Sequence, residues 1–302
     1  MKIPFNFLPI DKIPGMTSHD VVAKVRRALR DVVPRGTRVG HTGTLDPFAS
    51  GLLIVAIGKA TRFSDDVHRY PKTYEAELTL GTETTTLDPE GEISGSRPVP
   101  SLSQMDLDRC CTQFTGVQEQ LPPSYSAKLV DGIRSYELAR KNRAVDLKPC
   151  SIEISAIDLK IIDSKSLFCR VTCSTGTYIR SLGRDIAREL GTVGHVSKLR
   201  RTSVGPIKVE QALGAYDTEL DPVVIDRYVI PVSEVLPEYP EVELPIRFRE
   251  PLLQGRQIED IDLPHERFLG VIREGTEVST IFKCEYQART RQLRTKMLCF
   301  KS

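Results

Sequence analysis

The sequence predicts an α+β fold. Strand-like and helix-like stretches are interleaved without a regular βαβ repeat, which argues against a doubly wound parallel sheet. The texture then changes near residue 233, where the proline- and acid-rich "SEVLPEYPEVELP" reads as a linker. A large domain of residues 1–235 and a small β-rich one of residues 236–302 are therefore expected.

Each element has its own local reason. Residues 18–31 read as an amphipathic helix that Thr17 or Ser18 can cap, with Val21, Val22, Val25 and Leu29 at helical spacing. "LLIVAI" (52–57) is a short apolar run between glycines, the pattern of a buried strand. "TYEAELTLG" alternates Tyr74, Ala76, Leu78 and Leu80 with polar residues, a half-buried strand ending at Gly81. "TTTLDPEGEI" is turn chemistry, and residues 105–115 and 134–141 have helical spacing. "LFCRVTCS" is a strand with Leu167, Cys169, Val171 and Cys173 on one face, which makes both cysteines core residues. Residues 178–190 form a helix with Ile179, Leu182, Ile186 and Leu190 on one side and Gly191 as its stop. Beyond the linker, "RFLGVIRE", "TEVSTIFKCEY" and "QLRTKMLCF" are strand-like.

Composition narrows the function. The chain has 302 residues, 40% hydrophobic and 27% charged, which is globular rather than disordered. Its net charge is only +2, so a polyanionic partner must be met by local patches. Candidates are Lys24, Arg26, Arg27 and Arg30 on the first helix with Arg35 and Arg38 after it; Lys198, Arg200 and Arg201; and the tail from Lys283 to Lys301. Acids dominate between Asp217 and Glu266. Basic ends around an acidic middle favour nucleic acid, although a solvated surface explains each cluster alone. Seven cysteines include no CxxC pair and the five histidines are unclustered, so no metal site is expected. "MKIPFNFLPID" is too short in apolar residues and too rich in proline for a signal peptide. No stretch approaches the ~20 apolar residues of a membrane helix, and the expected location is the cytoplasm.

"GHTGTLDPFASGLL" (40–53) is the most unusual stretch. Gly40, Gly43 and Gly51 permit backbone conformations that other residues resist, and Pro47 biases Asp46 toward an extended conformation. A carboxylate held between a glycine turn and a buried strand sits where active-site groups are often presented; the plain alternative is an Asp-Pro turn. A phosphate-binding loop is excluded: Gly58-Lys59 would need glycine at Leu53 and a hydroxyl at Ala60. No GxSxG supports a serine hydrolase. Elsewhere "KTYEAEL" offers Tyr74, and "STGTYIRSLGRDIARELG" opens a helix with Tyr178 and Arg180. That turn can present amides or hydroxyls to an anion, or is a simple N-cap followed by an exposed arginine.

Taken together, these stretches resemble the motif set of the TruB family of tRNA pseudouridine synthases. The resemblance runs in order through "DKIPGMTS" (11–18), "GHTGTLDPFASGLL" (40–53), "KTYEAELTLGTETTTLDPEGEI" (72–93), "QLPPSYSAKLVDGIRSYELAR" (120–140), "STGTYIRSLGRDIARELG" (174–191) and "HVSKLRRTSVGPI" (195–207). Departures are Ile13 where the family has proline, the order Lys128-Leu129, and Thr85 in place of an aspartate.

The resemblance implies a mixed, largely antiparallel central sheet flanked by helices, with a shortened PUA-like RNA-binding domain at the C-terminus. It implies cofactor-free isomerisation of the uridine at position 55 in the T-loop of tRNA, by a monomeric, stand-alone enzyme. Asp46 matches the catalytic aspartate, as nucleophile or as base, and Arg180 the arginine that supports it. A guanidinium can hold a carboxylate through two hydrogen bonds. Tyr74 matches the residue that stacks on the flipped uracil; Tyr178 and Leu199 would complete the pocket. His41 would support the flipped state as an RNA contact, and Lys12 with the basic clusters would meet phosphates. The tRNA would be recognised mainly by the shape of its T-arm hairpin. Three alternatives stand beside this reading: a non-catalytic RNA binder or folding chaperone, a guide-RNA-dependent subunit, and a hydrolase using His41 and Asp46. The chain begins about ten residues before its first motif, which fits the stand-alone form.

Overall fold

The computed structural model describes residues 5–125, 129–130, 133–134, 147–214 and 220–301. In chain order its main elements are β1 Phe5–Lys12, α1 Ser18–Ala28, β2 Val39–His41, β3 Ser50–Gly58, α2 Ser64–His68, β4 Lys72–Leu80 and α3 Gln104–Phe114. There follow β5 Gly116–Gln120, β6 Cys150–Asp163, β7 Ser166–Cys173, α4 Ile179–Glu189, β8 Gly194–Val204 and β9 Leu213–Gly214. The C-terminal part adds β10 Glu241–Glu243, β11 Arg267–Glu274, β12 Glu277–Gln287 and β13 Gln292–Lys301.

The central sheet runs β9-β1-β3-β8-β4-β7-β6-β5. Only β9–β1 and β3–β8 are parallel along this path, so the sheet is mixed and largely antiparallel, as expected. Two kinds of strand build it. β4 buries every second residue, Tyr74 to Leu80, because one face meets the core and the other is more open. β1 and β3 are buried on both faces, and β3 reads as a continuous apolar run. Leu8, Ile10, Leu53, Val55 and Ile57 face one hydrophobic cluster with α1, α3 and α4, whereas Phe5, Phe7, Leu52, Ile54 and Ala56 face a second.

That second cluster is closed by Val235, Leu236, Tyr239, Leu269 and Cys299, so the C-terminal strands share a core with the large sheet. A four-stranded sheet, β10-β11-β12-β13, has its own cluster around Phe268, Phe282 and Leu293. Lys283 stands between the rings of Phe63 (4.8 Å) and Tyr239 (4.4 Å), with its ammonium 3.2 Å from Asp66. This tail lysine is a joint between the two parts, not a surface patch.

The predicted helices and strands appear close to their expected places, with local revisions. Thr17, not Ser18, caps α1, in a reciprocal capping box with Asp20. Cys169 and Cys173 are buried on the core face of β7. α4 packs so tightly on the sheet that a Cβ at Gly183 would meet Val196 Cγ2 at 2.8 Å and Leu78 Cδ2 at 3.0 Å. Of the helix predicted over 134–141, Arg134 instead pairs with Leu129 in a short hairpin, and 135–141 lie outside the described residues, as does Lys128. Among the described residues no helix is long and apolar enough to cross a membrane.

Candidate active site

The loop between β2 and β3 carries Asp46, and its backbone is fixed almost carbonyl by carbonyl. Thr42 N donates to Ile54 O at 3.0 Å, and the His68 ring lies 3.0 Å from Thr42 O. Arg201 donates to Gly43 O (3.1 Å), Thr44 O (3.2 Å) and Leu52 O (2.7 Å). Ser18 Oγ both accepts from Leu45 N (2.9 Å) and donates to Leu45 O (3.0 Å), which leaves Thr17 to cap α1. Ala49 N closes a turn onto Asp46 O at 3.1 Å. Lys12 Nζ caps Pro47 O (3.2 Å) and Ala49 O (2.5 Å), as well as Ile13 O (3.0 Å) and Met16 O (2.8 Å).

Lys12 therefore differs from expectation. Its side chain is fully buried (0% exposed), and its ammonium binds four carbonyls instead of a phosphate. Burial pulls its pKa down to about 8, against the opposing influence of the Asp46 carboxylate. The glycines also differ among themselves. Gly51 has φ +103°, and a Cβ there would lie 2.3 Å from Arg201 O. Gly40 and Gly43 show neither a positive φ nor a close backbone contact.

The second half of the site is the turn 174–178 leading into α4. Arg180 Nε donates to Asp46 Oδ2 at 2.9 Å. The two-point grip expected between them is absent, because the other guanidinium donors are committed elsewhere. Nη1 donates to Thr86 O (3.0 Å) and faces Asp88 Oδ2 (3.2 Å), while Nη2 donates to Tyr125 O (2.9 Å). The arginine is nearly buried, whereas 33% of the Asp46 side chain is exposed. One carboxylate is thus oriented by a fixed cation and still open to a reactant.

Asp88 is a site residue that sequence reasoning did not single out. It is buried and held by Glu90 N (3.0 Å) and Thr86 Oγ1, so it orients the guanidinium from behind. Its "TTTLDPEGEI" turn was legible; the partner it turns toward was not. His68 is a second such residue. Its Nδ1 meets Thr42 O and its Nε2 lies 3.0 Å from Thr175 Oγ1, which ties the Asp46 loop to the Arg180 turn. A carbonyl only accepts, so Nδ1 carries the proton.

Tyr74, Leu199 and Arg201 share one face of the sheet, where β4 pairs with β8 through Tyr74↔Arg201 and Ala76↔Leu199. Tyr74 and Leu199 are buried in the cluster that contains Leu45 and Ile179. Burial raises the Tyr74 pKa, so the ring stays neutral. His41 is partly exposed, and its Nδ1 is buried with no hydrogen-bond partner among the described residues. Burial, with the neighbouring Arg201, lowers its pKa. Tyr178 stands at the start of α4, two residues before Arg180.

The basic clusters separate into different roles. Arg201 lies under the loop, Arg200 pairs with Asp11 (2.7 Å) and Lys198 with Glu77 (2.9 Å). Within the "KLRR" cluster Arg201 is framework, whereas Lys198 and Arg200 form ion pairs at the surface. Arg26, Arg27, Arg30, Arg35 and Arg38 are exposed and line a groove of about 770 Å³ between α1 and β2. Val39 lies in this groove, and His41 follows two residues on along β2, at the start of the loop that carries Asp46.

Residues 30–179 match the model of the N-terminal domain of TruB family pseudouridylate synthases, and residues 180–236 that of the C-terminal domain of tRNA pseudouridylate synthase B. The chain is 42% identical to tRNA pseudouridine synthase B of Clostridium kluyveri, over 84% of this chain and 85% of that protein. Against the Psychrobacter cryohalolentis enzyme of the same name it is 39% identical, over 84% and 71%. The Corynebacterium efficiens enzyme is 36% identical, over 90% and 94%. In solved structures, a chain of a Cbf5–Nop10–Gar1 complex superposes with TM-score 0.67 at 23% identity, covering 99% of this chain and 86% of that one, a likeness of fold. By these matches the chain belongs to the TruB family of pseudouridylate synthases.

Proposed function

We propose that the chain converts the uridine at position 55 in the T-loop of tRNA to pseudouridine, with Asp46 as its catalytic group. The observation that carries this reading is the partly exposed Asp46 carboxylate, held by a buried arginine beside a buried tyrosine. The N1–C1′ bond of the nucleotide breaks, the uracil turns in place, and C5 bonds to C1′. C5 loses its proton and N1 gains one, so the change is an isomerisation that needs no redox partner. Asp46 acts at the sugar or the base as nucleophile or proton acceptor, and Arg180 fixes its direction throughout.

The uracil reaches Asp46 by leaving its stack, at a cost of a few kcal/mol. Stacking on Tyr74 recovers roughly 1–3 kcal/mol. Tyr178 and Leu199 enclose the base, and His41 stands near the position it vacates. The lowered pKa of His41 suits a neutral hydrogen-bonding contact to RNA better than a charged one. The exposed arginines of the α1 groove are the natural phosphate contacts, a role their solvent-facing positions support and the burial of Lys12 does not. Residues 236–302, with their own sheet and apolar cluster, are assigned as the PUA-like module that adds RNA contacts. The relatives' shared name, tRNA pseudouridine synthase B, supports tRNA as the substrate, and a cytoplasmic, monomeric enzyme acting without guide RNA is part of the same proposal.

The test is tritium release from C5-labelled uridine in a tRNA transcript. Wild type turns over without added guide RNA, while Asp46→Asn falls by at least about 10³-fold and still binds tRNA. Turnover by the variant at the wild-type rate overturns the assignment.

A further inference from the structure

Gln120 ends β5, the edge strand of the central sheet, and is only 3% exposed. Its amide meets the backbone of Tyr178 at two points. Tyr178 N donates to Gln120 Oε1 at 2.8 Å, and Gln120 Nε2 donates to Tyr178 O at 3.1 Å. A carboxamide has the donor and acceptor of a peptide unit, so one side chain makes a strand-like pairing with the start of a helix. This start needs one. Tyr178 is the N-cap residue of α4, so its N–H is among those the helix itself cannot satisfy.

The contact continues as a rail along the helix. Leu121 O accepts from Ser181 Oγ (2.9 Å) and Arg184 Nη2 (3.3 Å), and Tyr125 O accepts from Arg180 Nη2. At its other side Gln120 is fixed by its pairing with Cys150 on β6. The reacting pair thus hangs on two supports: the pinned loop under Asp46, and the Gln120–Tyr178 clasp two residues before Arg180.

We propose that Gln120 is a positioning residue for the Asp46–Arg180 pair: its amide sets the Tyr178 peptide, and thereby the direction in which Arg180 leaves the helix toward Asp46. The inference rests on the pseudouridine synthase reading for its consequence and on the clasp for its geometry. In the full chain, Gln120→Leu removes both bonds. The single-turnover rate of tritium release should fall between about ten- and a hundredfold, with tRNA affinity within about twofold of wild type.

Gln120→Glu supplies the sharper readout. The neutral acid has the shape of the amide and can donate to Tyr178 O; the carboxylate cannot. Burial raises a carboxyl pKa, so the rate of Gln120→Glu relative to wild type should climb as pH falls from about 8 to about 6. A residue that only supported the fold would lower the melting temperature without such recovery. Wild-type rates in both variants, or a flat ratio of Gln120→Glu to wild type across that range, overturn the proposal. Should Gln120→Leu fail to fold, the Glu ratio decides alone.

Hydrogen exchange at the Tyr178 amide separates this idea from the activity it rests on, and should quicken at least about tenfold in Gln120→Leu. If wild type released no tritium, the functional reading would fall, and the clasp would be judged by that exchange. An unchanged exchange rate overturns it.

Discussion

Two groups of cations look alike in the sequence and do opposite work. Under the Asp46 loop, Lys12 and Arg201 are buried and donate to backbone carbonyls. Around the α1 groove, Arg26, Arg27, Arg30, Arg35 and Arg38 stand exposed over an apolar floor. The first group determines where Asp46 is; the second can meet a polyanion. A buried cation whose donors are taken up inside the fold fixes a loop that has no secondary structure to hold it. An exposed one keeps its donors for an incoming ligand, so charge alone does not tell the two apart.

The largest separation should come from Arg201→Met. It strips the donors from Gly43 O, Thr44 O and Leu52 O, and each unsatisfied buried acceptor costs about 1–3 kcal/mol. The sum is a large part of the ~5–15 kcal/mol that stabilises a typical domain. Calorimetry should show a much lower melting temperature and the tritium assay no measurable turnover; a native-like melt would mean that water replaces the guanidinium.

The groove predicts the reverse pattern. In Arg27→Gln/Arg30→Gln/Arg35→Gln, the melting temperature and the saturating rate should match wild type, while tRNA affinity drops. The slope of log affinity against log salt should shrink by about 0.7–0.9 for each phosphate that the variant no longer neutralises. Unchanged affinity would remove the groove from the RNA path. A fall in rate at unchanged affinity would instead make it part of the site.

How much of this could be read beforehand depends on whether the cause is local. β4 and β7 alternate cleanly, and α1 and α4 repeat at helical spacing, so local pattern alone finds them. β8 escapes because bulges between Val196 and Lys198 and between Arg201 and Ser203 break its period of two. β1 escapes because it is buried on both faces, without alternation, and interrupted by Pro9. At the site, the Asp46 turn and the Arg180 helix are contiguous motifs and were legible through family resemblance. Arg201, His68 and Gln120 instead act on Gly43, Thr175 and Tyr178, which lie 158, 107 and 58 positions away and meet them only in the fold. Asp88 likewise meets Arg180 only in the fold. Lys12 shows the limit most plainly: its separations of 35 and 37 from Pro47 and Ala49 turn an apparent phosphate contact into a strut.

The smallest expected effect tests that strut by its protonation. Lys12 has a pKa of about 8 in the fold against 10.5 in an open chain. Below about 8 both states carry the proton, and the stability contributed by Lys12 does not vary with pH. Between about 8 and 10.5 the unfolded chain binds a proton that the folded one has released, so stability rises with pH, by at most about 1.4 kcal/mol per unit. The gain is complete above 10.5 and has vanished once pH falls below about 8. Buried thiols such as Cys110, raised to about 12, act with the opposite sign, so the difference between wild type and Lys12→Met is the quantity to follow. Denaturant unfolding from about pH 7.5 to 9.5 should show that difference moving in favour of wild type. A flat difference would place the ammonium in contact with water, and so return Lys12 to the surface group with which the sequence first grouped it.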